Sequence, residues 1–186
     1  MRRFELLEPR SLADACCALE DTDVKPVAGG TALLTIIKQG LLAPKTLINL
    51  KKIRDGSEIT FDPQHGIRIG ALATINEIET SPLVQRHHPI LAEACHLVAN
   101  IRIRNMATIG GNLAHADYQS DPPTVLVALD ARVEIIRGHG TREIPLSEFQ
   151  RGSYETALEM GELITAISVP RLTKEFKGTY IKFTTG

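Results

Sequence analysis

Asn100-Ile101-Arg102-Ile103-Arg104-Asn105-Met106-Ala107-Thr108-Ile109-Gly110-Gly111-Asn112-Leu113-Ala114-His115-Ala116-Asp117-Tyr118-Gln119-Ser120-Asp121-Pro122-Pro123 is the stretch around which the chain is organised. Thr108 and Ile109 predict a strand, and Gly110-Gly111 leaves the peptide bare, so that another group can lie against it. Asn112 adds an amide, and Asp117, Ser120 and Asp121 crowd polar groups into the residues before a helix. Asp121 followed by Pro122 marks that helix start, because Asp caps free N–H groups and Pro loses nothing at the first helical position. Upstream, Arg102 and Arg104 alternate with Ile101 and Ile103 as a strand with one solvated face would.

By itself this stretch reads as a tight turn before a capped helix, or as a ligand loop. A second copy of the pattern shifts the balance. Pro26-Val27-Ala28-Gly29-Gly30-Thr31-Ala32-Leu33-Leu34 also runs from strand through a glycine pair and a hydroxyl into an apolar helical pattern. Free N–H groups at such a turn form an anion-binding nest, and two of them brought together would grip one diphosphate.

The 186 residues, 43% of them apolar, are enough for one full domain or two small ones. Lys plus Arg total 21 against 22 acidic residues, and no basic block marks a nucleic-acid surface. The first residues, Met1-Arg2-Arg3-Phe4-Glu5, form no apolar signal core, and no run reaches membrane-spanning length, so a cytoplasmic location is expected. Cys16, Cys17 and Cys95 cannot build a disulfide framework and are too few for an iron–sulfur cluster, which would need four thiolates. Any such cluster would sit on a partner.

Apolar spacing predicts strand, helix, strand, helix, strand over roughly Met1 to Ile53: a strand at Phe4–Leu7, a helix from Leu12 to near Asp21 opened by Ser11, a strand at 24–28, a helix at 32–38 closed by Gly40 and a strand at 46–50. Arg54-Asp55-Gly56-Ser57 is a polar break, giving subdomains 1–55 and 56–186. Beyond it come a hairpin of 59–61 with 67–69, a capping box at Thr74-Ile75-Asn76-Glu77, helices opened by Pro82 and Pro89, a helix at 122–129, strands at 132–136 and 141–144, and last strands at 163–169 and 180–183. No Gly-x-Gly-x-x-Gly fingerprint, Gly-Lys-Ser/Thr phosphate loop or His-Glu-x-x-His helix occurs, and the pattern is not that of a doubly wound sheet.

Ala28-Gly29-Gly30-Thr31-Ala32-Leu33-Leu34, then Arg104-Asn105-Met106-Ala107-Thr108-Ile109-Gly110-Gly111-Asn112-Leu113, then Ala116-Asp117 through Ser120-Asp121-Pro122-Pro123, resembles the FAD-binding medium subunit, or central flavin domain, of the molybdenum hydroxylases, such as xanthine dehydrogenase and carbon monoxide dehydrogenase. The likeness runs over nearly the whole chain in order. It implies an α+β fold of the vanillyl-alcohol-oxidase-like (PCMH) type, with two subdomains, mixed and antiparallel sheets, flanking helices and FAD held between the halves. It also implies that Ala28, Gly29, Gly30, Thr31, Ala32 and Leu33 face the cofactor together with Thr108, Ile109, Gly110, Gly111 and Asn112. Asp121 matches a position that hydrogen-bonds the polar portion of FAD, with Asp117 and Ser120 in the same loop. Lys182 matches a lysine near the flavin ring, where a cation favours the reduced, anionic form, and Leu163 or Ile164 matches an apolar contact.

The resemblance further implies an oxidoreductase subunit that passes electrons from 2Fe-2S clusters on a small partner to an acceptor such as NAD, oxygen or a quinone, after a molybdopterin-binding large subunit has oxidised the substrate. The family usually continues beyond the Lys182 strand with an arginine near Gly186 and a C-terminal domain, which this sequence lacks. A truncated, non-catalytic assembly module of the same fold is therefore the alternative, and a simple nucleotide-binding protein, stabilised by ADP as well as by FAD, is a third reading. Replacing Gly110 or Gly111 by Val is expected to abolish flavin retention and leave the fold largely intact. No residue set reads as catalytic and none as a metal site: His87-His88 diverge on an exposed turn, His115 is either a cofactor contact or loop packing, and Tyr118 is either a stacking ring or an ordinary loop aromatic.

Overall fold

A computed structural model describes residues 3–53, 56–172 and 177–183. In the first fifty residues, β1 (Glu5–Leu7), α1 (Leu12–Ala18), β2 (Val24–Val27), α2 (Leu33–Lys38) and β3 (Thr46–Asn49) follow in the order expected from the sequence. Ser11 opens α1 by accepting the Asp14 N–H at 3.1 Å, and its hydroxyl also donates to the Asp14 carboxylate. The three strands form a parallel sheet in the order β1-β3-β2. This small sheet is parallel throughout rather than mixed, because each return passes through a helix that reverses the chain. Pro26, which has no N–H to donate, is accommodated on β2 because that strand lies at an edge.

The rest of the chain builds a second, wholly antiparallel sheet in the order β4-β5-β10-β6-β7, from β4 (Ile59–Asp62), β5 (Gly66–Gly70), β6 (Arg132–Arg137), β7 (Gly140–Pro145) and β10 (Glu162–Val169). Between β5 and β6 lie α3 (Ile75–Thr80), α4 (Pro82–His87), α5 (Pro89–His96), α6 (Ile101–Arg104), α7 (Ile109–His115) and α8 (Asp121–Ala128). The Thr74 capping box forms in full, with Thr74 N–H donating to Glu77 at 2.7 Å and Glu77 N–H to the Thr74 hydroxyl at 3.1 Å. A short α9 (Leu146–Phe149) and a hairpin of β8 (Gln150–Gly152) with β9 (Glu155–Thr156) lead back to β10.

One face of the large sheet, carrying Ile67, Ile69, Val133, Ile135, Ile167 and Val169, packs under α3, α5 and α8 through Ile75, Ile78, Leu91 and Leu126. The opposite face is polar at one end, where Arg68 makes a forked ion pair with Glu134. At the other end it is apolar, and Ile136 and Leu163 pack against Ala15, Cys16 and Leu19 of α1. That second cluster ties the parallel unit to the antiparallel one. Among the described residues no helix is long and apolar enough to cross a membrane.

Three expectations are corrected. Residues 101–104 are a helix, not a strand: Asn100 accepts the N–H groups of Arg102 and Ile103 and caps it, and the Arg104 guanidinium lies against Glu79 of α3 at 2.8 Å. Ile109 begins a helix rather than ending a strand, because the Thr108 hydroxyl accepts the Gly111 N–H. Residues 180–183 join no sheet; both edges of the large sheet are already taken by hairpin strands, and the segment is held instead by the side chains of Tyr180 and Lys182.

Candidate functional site

The first glycine loop leaves β2 at Val27 and enters α2 at Leu33, with Gly30 at φ +73°, a conformation that an L side chain strains to adopt. Leu34 N–H reaches back to the Gly30 carbonyl, and Ile36 N–H to that of Ala32. Among the described residues, no acceptor takes the N–H groups of Gly29, Gly30, Thr31, Ala32 or Leu33. Five consecutive main-chain donors therefore stand unpaired at a strand-to-helix turn, and buried donors of this kind are normally paired.

The second glycine pair behaves differently. Ile109 N–H donates to Ala73 at 2.9 Å, Gly110 N–H to Ala71 at 2.8 Å, Gly111 N–H to the Thr108 hydroxyl at 3.2 Å and Asn112 N–H to the Thr108 carbonyl at 2.9 Å. Ile75 N–H completes this ladder by donating to Ala107 at 2.9 Å. The expectation that both loops form anion nests is thus corrected: only the first has donors to spare. Gly110 is glycine because a β-carbon there would sit 2.7 Å from Ala71 Cβ and 2.8 Å from its carbonyl oxygen. At Gly111 a β-carbon would meet nothing but the Thr108 hydroxyl at 2.9 Å, so its face is open.

The two loops nevertheless converge. They line one cleft of about 310 Å³ between the two sheets, with Val27, Ile36, Leu50, Leu72, Leu158, Leu163 and Ile164 as its apolar wall. Gly29 is where they touch: its missing β-carbon would overlap the Met106 carbonyl oxygen and stand 2.9 Å from Ala107 Cα. The register shift in β10 between Ile164 and Ala166 brings the Thr165 carbonyl to Ala71 N–H at 2.9 Å, fixing the cleft floor to the second loop.

Of the residues singled out in the sequence, Ala28 through Leu33, Thr108, Gly110, Gly111, Asn112, Leu163 and also Ile164 line this cleft. Ile109 does not, because its side chain is buried in the main core. Ser120 stands one step behind the wall, its hydroxyl donating to Asn112 Oδ1 at 2.9 Å, and Asp117 accepts the Gln119 N–H in its own loop. Asp121 and Lys182 are brought together, but with each other. Lys182 Nζ lies 2.7 Å from one Asp121 carboxylate oxygen and donates to the Leu97 carbonyl at 3.2 Å, while the Tyr180 hydroxyl donates to the other Asp121 oxygen at 2.7 Å. Burial and that buried carboxylate push the Tyr180 phenol up to about 12. Neither Asp121 nor Lys182 is among the residues lining the cleft, and the position matching the family arginine, Gly186, lies outside the described residues.

Three cleft residues were not singled out as cofactor contacts in the sequence. Lys25 lines the wall upstream of the first glycine loop. Glu162 also lines it, and the Arg142 guanidinium, bound to both its oxygens at 2.7 Å, holds its carboxyl below the usual range against the opposing effect of burial. His115, one turn beyond Gly111, packs against Tyr154 with ring centroids 5.1 Å apart. A lysine in a strand and a glutamate before one carry no signal of their own in a single sequence.

An unpaired run of main-chain donors facing the open Gly111 in an otherwise apolar cleft suits a long ligand with a doubly charged centre and flat apolar ends. The match of residues 2–172 to the model of the FAD binding domain in molybdopterin dehydrogenase accords with that geometry. The chain is 34% identical over 182 residues to the carbon monoxide dehydrogenase medium chain of Hydrogenophaga pseudoflava, covering 97% of this chain and 63% of the relative. It is 31% identical over 170 residues to a putative xanthine dehydrogenase FAD-binding subunit of Escherichia coli, covering 91% of this chain and 58% of that one. Among solved structures, quinoline 2-oxidoreductase from Pseudomonas putida 86 matches with a TM-score of 0.89 at 31% identity, over 92% of this chain and 60% of the other. The chain thus spans about three-fifths of the length of these proteins, and by the extent of the match it belongs to the family of FAD-binding domains of the molybdopterin dehydrogenases.

Proposed function

We propose that this chain is the FAD-binding, electron-transferring medium subunit, or the FAD-binding part of one, in a cytoplasmic molybdenum hydroxylase complex. The run of unpaired N–H groups from Gly29 to Leu33, opposite Gly111 in one cleft, is the observation that carries this reading. FAD, when bound, supplies a carrier that accepts and returns electrons singly or in pairs. The work of the chain's own residues is to hold and shield it. The amides of 29–33 meet the diphosphate in place of Lys or Arg, which explains how a chain with a net charge of -1 takes a dianion. Val27, Leu50, Leu158 and Ile164 exclude water from the rings, and Arg142 neutralises Glu162 so that no bare carboxylate faces the phosphates.

In this reading residues 1–55 and 56–186 are the two subdomains that clamp the cofactor, a 2Fe-2S small subunit delivers the electrons, a molybdopterin-binding large subunit oxidises the substrate, and NAD, oxygen or a quinone accepts. The test is a visible spectrum of the purified chain followed by titration with FAD and, separately, with ADP. Saturable uptake of FAD, with quenching of its fluorescence and tighter binding than ADP, is expected. Equal stabilisation by ADP and FAD would instead mark a simple nucleotide binder, and no uptake would mark an assembly module.

A further inference from the structure

Two formally charged side chains are among those that line the cleft, Lys25 and Glu162. Glu162 is engaged on both oxygens by Arg142. No ion pair of Lys25 is found among the described residues, and its side chain is half-buried. Strand periodicity explains its place: Val24 enters the cluster with α1, so Lys25 and Val27 fall on the other side of β2, and both line the cleft. The lysine expected from the family likeness to serve the flavin, Lys182, is engaged by Asp121 and the Leu97 carbonyl away from that wall.

We infer that Lys25 is the cation that meets the isoalloxazine ring and raises its reduction potential, a role that rests on the FAD reading above. From Lys25 to Gly29 four residues of extended chain span about 13 Å, comparable with the ribityl linker that separates a diphosphate from its flavin ring. A charge so placed stands off from the amide cradle and faces the apolar wall built by Val27 and Leu50. An isoalloxazine that gains two electrons and only one proton carries a negative charge on its pyrimidine edge, whereas the oxidised ring is neutral. An ammonium beside that edge favours the reduced form over the oxidised one, by more in an apolar cleft than in water.

The test is dye-equilibrated potentiometry on the FAD-loaded chain as wild type, Lys25→Met and Lys25→Arg, with the dissociation constants of FAD and ADP measured alongside. Lys25→Met should weaken the reduced form relative to the oxidised form about tenfold, which for a two-electron couple is a fall of about 30 mV. Lys25→Arg should keep the wild-type potential, and ADP affinity should be the same in all three. An unchanged potential in Lys25→Met overturns the inference, as does a parallel loss of FAD and ADP affinity without a change in potential, which would place Lys25 on the diphosphate. The wild-type titration separates the two levels: a wild-type chain that takes up no FAD refutes the FAD reading itself, whereas normal uptake with an unshifted variant refutes only the role of Lys25.

Discussion

Gly29→Ala places a single methyl group where the two loops touch. The added carbon overlaps the Met106 carbonyl oxygen and stands 2.9 Å from Ala107 Cα. Both are main-chain atoms, so no rotamer change relieves the overlap, and the 28–33 loop must withdraw from the 106–111 segment by roughly an ångström before van der Waals repulsion ends. Overpacking of this kind costs about 1–3 kcal/mol of stability, which for a chain of this size lowers Tm by about 2–4 °C per kcal/mol. The effect on binding is larger. Each hydrogen bond from an amide to a charged oxygen is worth about 1.5–3 kcal/mol, and a displaced loop that forfeits one or two of the five leaves FAD about 100-fold weaker, at tenfold per 1.4 kcal/mol. ADP should weaken in parallel, because the diphosphate is common to both. Gly40→Ala is the control, since Gly40 also lies at positive φ, +78°, but has nothing within 4 Å of its would-be β-carbon; it should carry backbone strain of about 1 kcal/mol and leave FAD affinity alone. The assay is FAD fluorescence quenching with thermal melts of all three proteins. A Gly29→Ala chain that binds FAD within twofold of wild type would refute the reasoning.

Gly110→Val should unfold or strongly destabilise the chain rather than merely release flavin, because its branches would enter Ala71 Cβ and O; a stable Gly110→Val protein by circular dichroism would contradict this. His88 is 1% exposed with neither ring nitrogen hydrogen-bonded among the described residues, and burial, aided by the neighbouring His87, lowers its pKa below the ordinary histidine value. As pH falls below that ordinary value the unfolded chain takes the proton and the folded chain refuses it, so stability drops toward the lowered folded value. The urea midpoint should therefore fall between pH 7.5 and 5.5, and less so in His88→Leu; equal slopes would count against the assignment. Lys182→Met strips the ammonium from an Asp121 side chain that is 6% exposed, and because Lys182 is itself 33% exposed the loss should be about 2 kcal/mol, less than for a fully buried pair. FAD affinity should stay near wild type, and a tenfold loss would return Lys182 to the cleft.

The elements legible in the sequence were those with a chemical signature of their own. Ser11, Thr74, Pro82 and Pro89 announced four helix starts, and the Asp62-to-Gly66 turn announced a hairpin, because caps and turns are decided by neighbouring residues. The two glycine loops were rightly expected to face one cleft, but not what each glycine does there. Glycine pairs look alike in sequence, yet Gly29 is required by a contact with Met106, a residue distant in the chain, and Gly110 by one with Ala71, while the Gly111 amide is consumed by a capping hydroxyl three residues back. The Ile101–Arg104 alternation misled for a related reason: two residues per period over four positions cannot be told from a short helix until the Asn100 cap and the Glu79 partner are known.

Leu163 explains why binding and folding cannot be separated in this chain. It lies beside the bulge in β10, pairs with Ile136, packs under α1 with Ala15, Cys16, Leu19 and Val24, and at the same time forms part of the cleft wall. The angle between the parallel and antiparallel sheets is therefore fixed by an apolar contact at one end of the cleft and by the Gly29 touch at the other. Neither contact is polar, so neither competes with the ligand for hydrogen bonds. The five donors of the first loop remain unpaired because the two apolar contacts hold the loop open without using them. A ligand that pairs those donors stabilises the folded chain by mass action, so loss of the clamp should be read first as a fall in ligand-induced stabilisation and only second as a fall in the stability of the free chain.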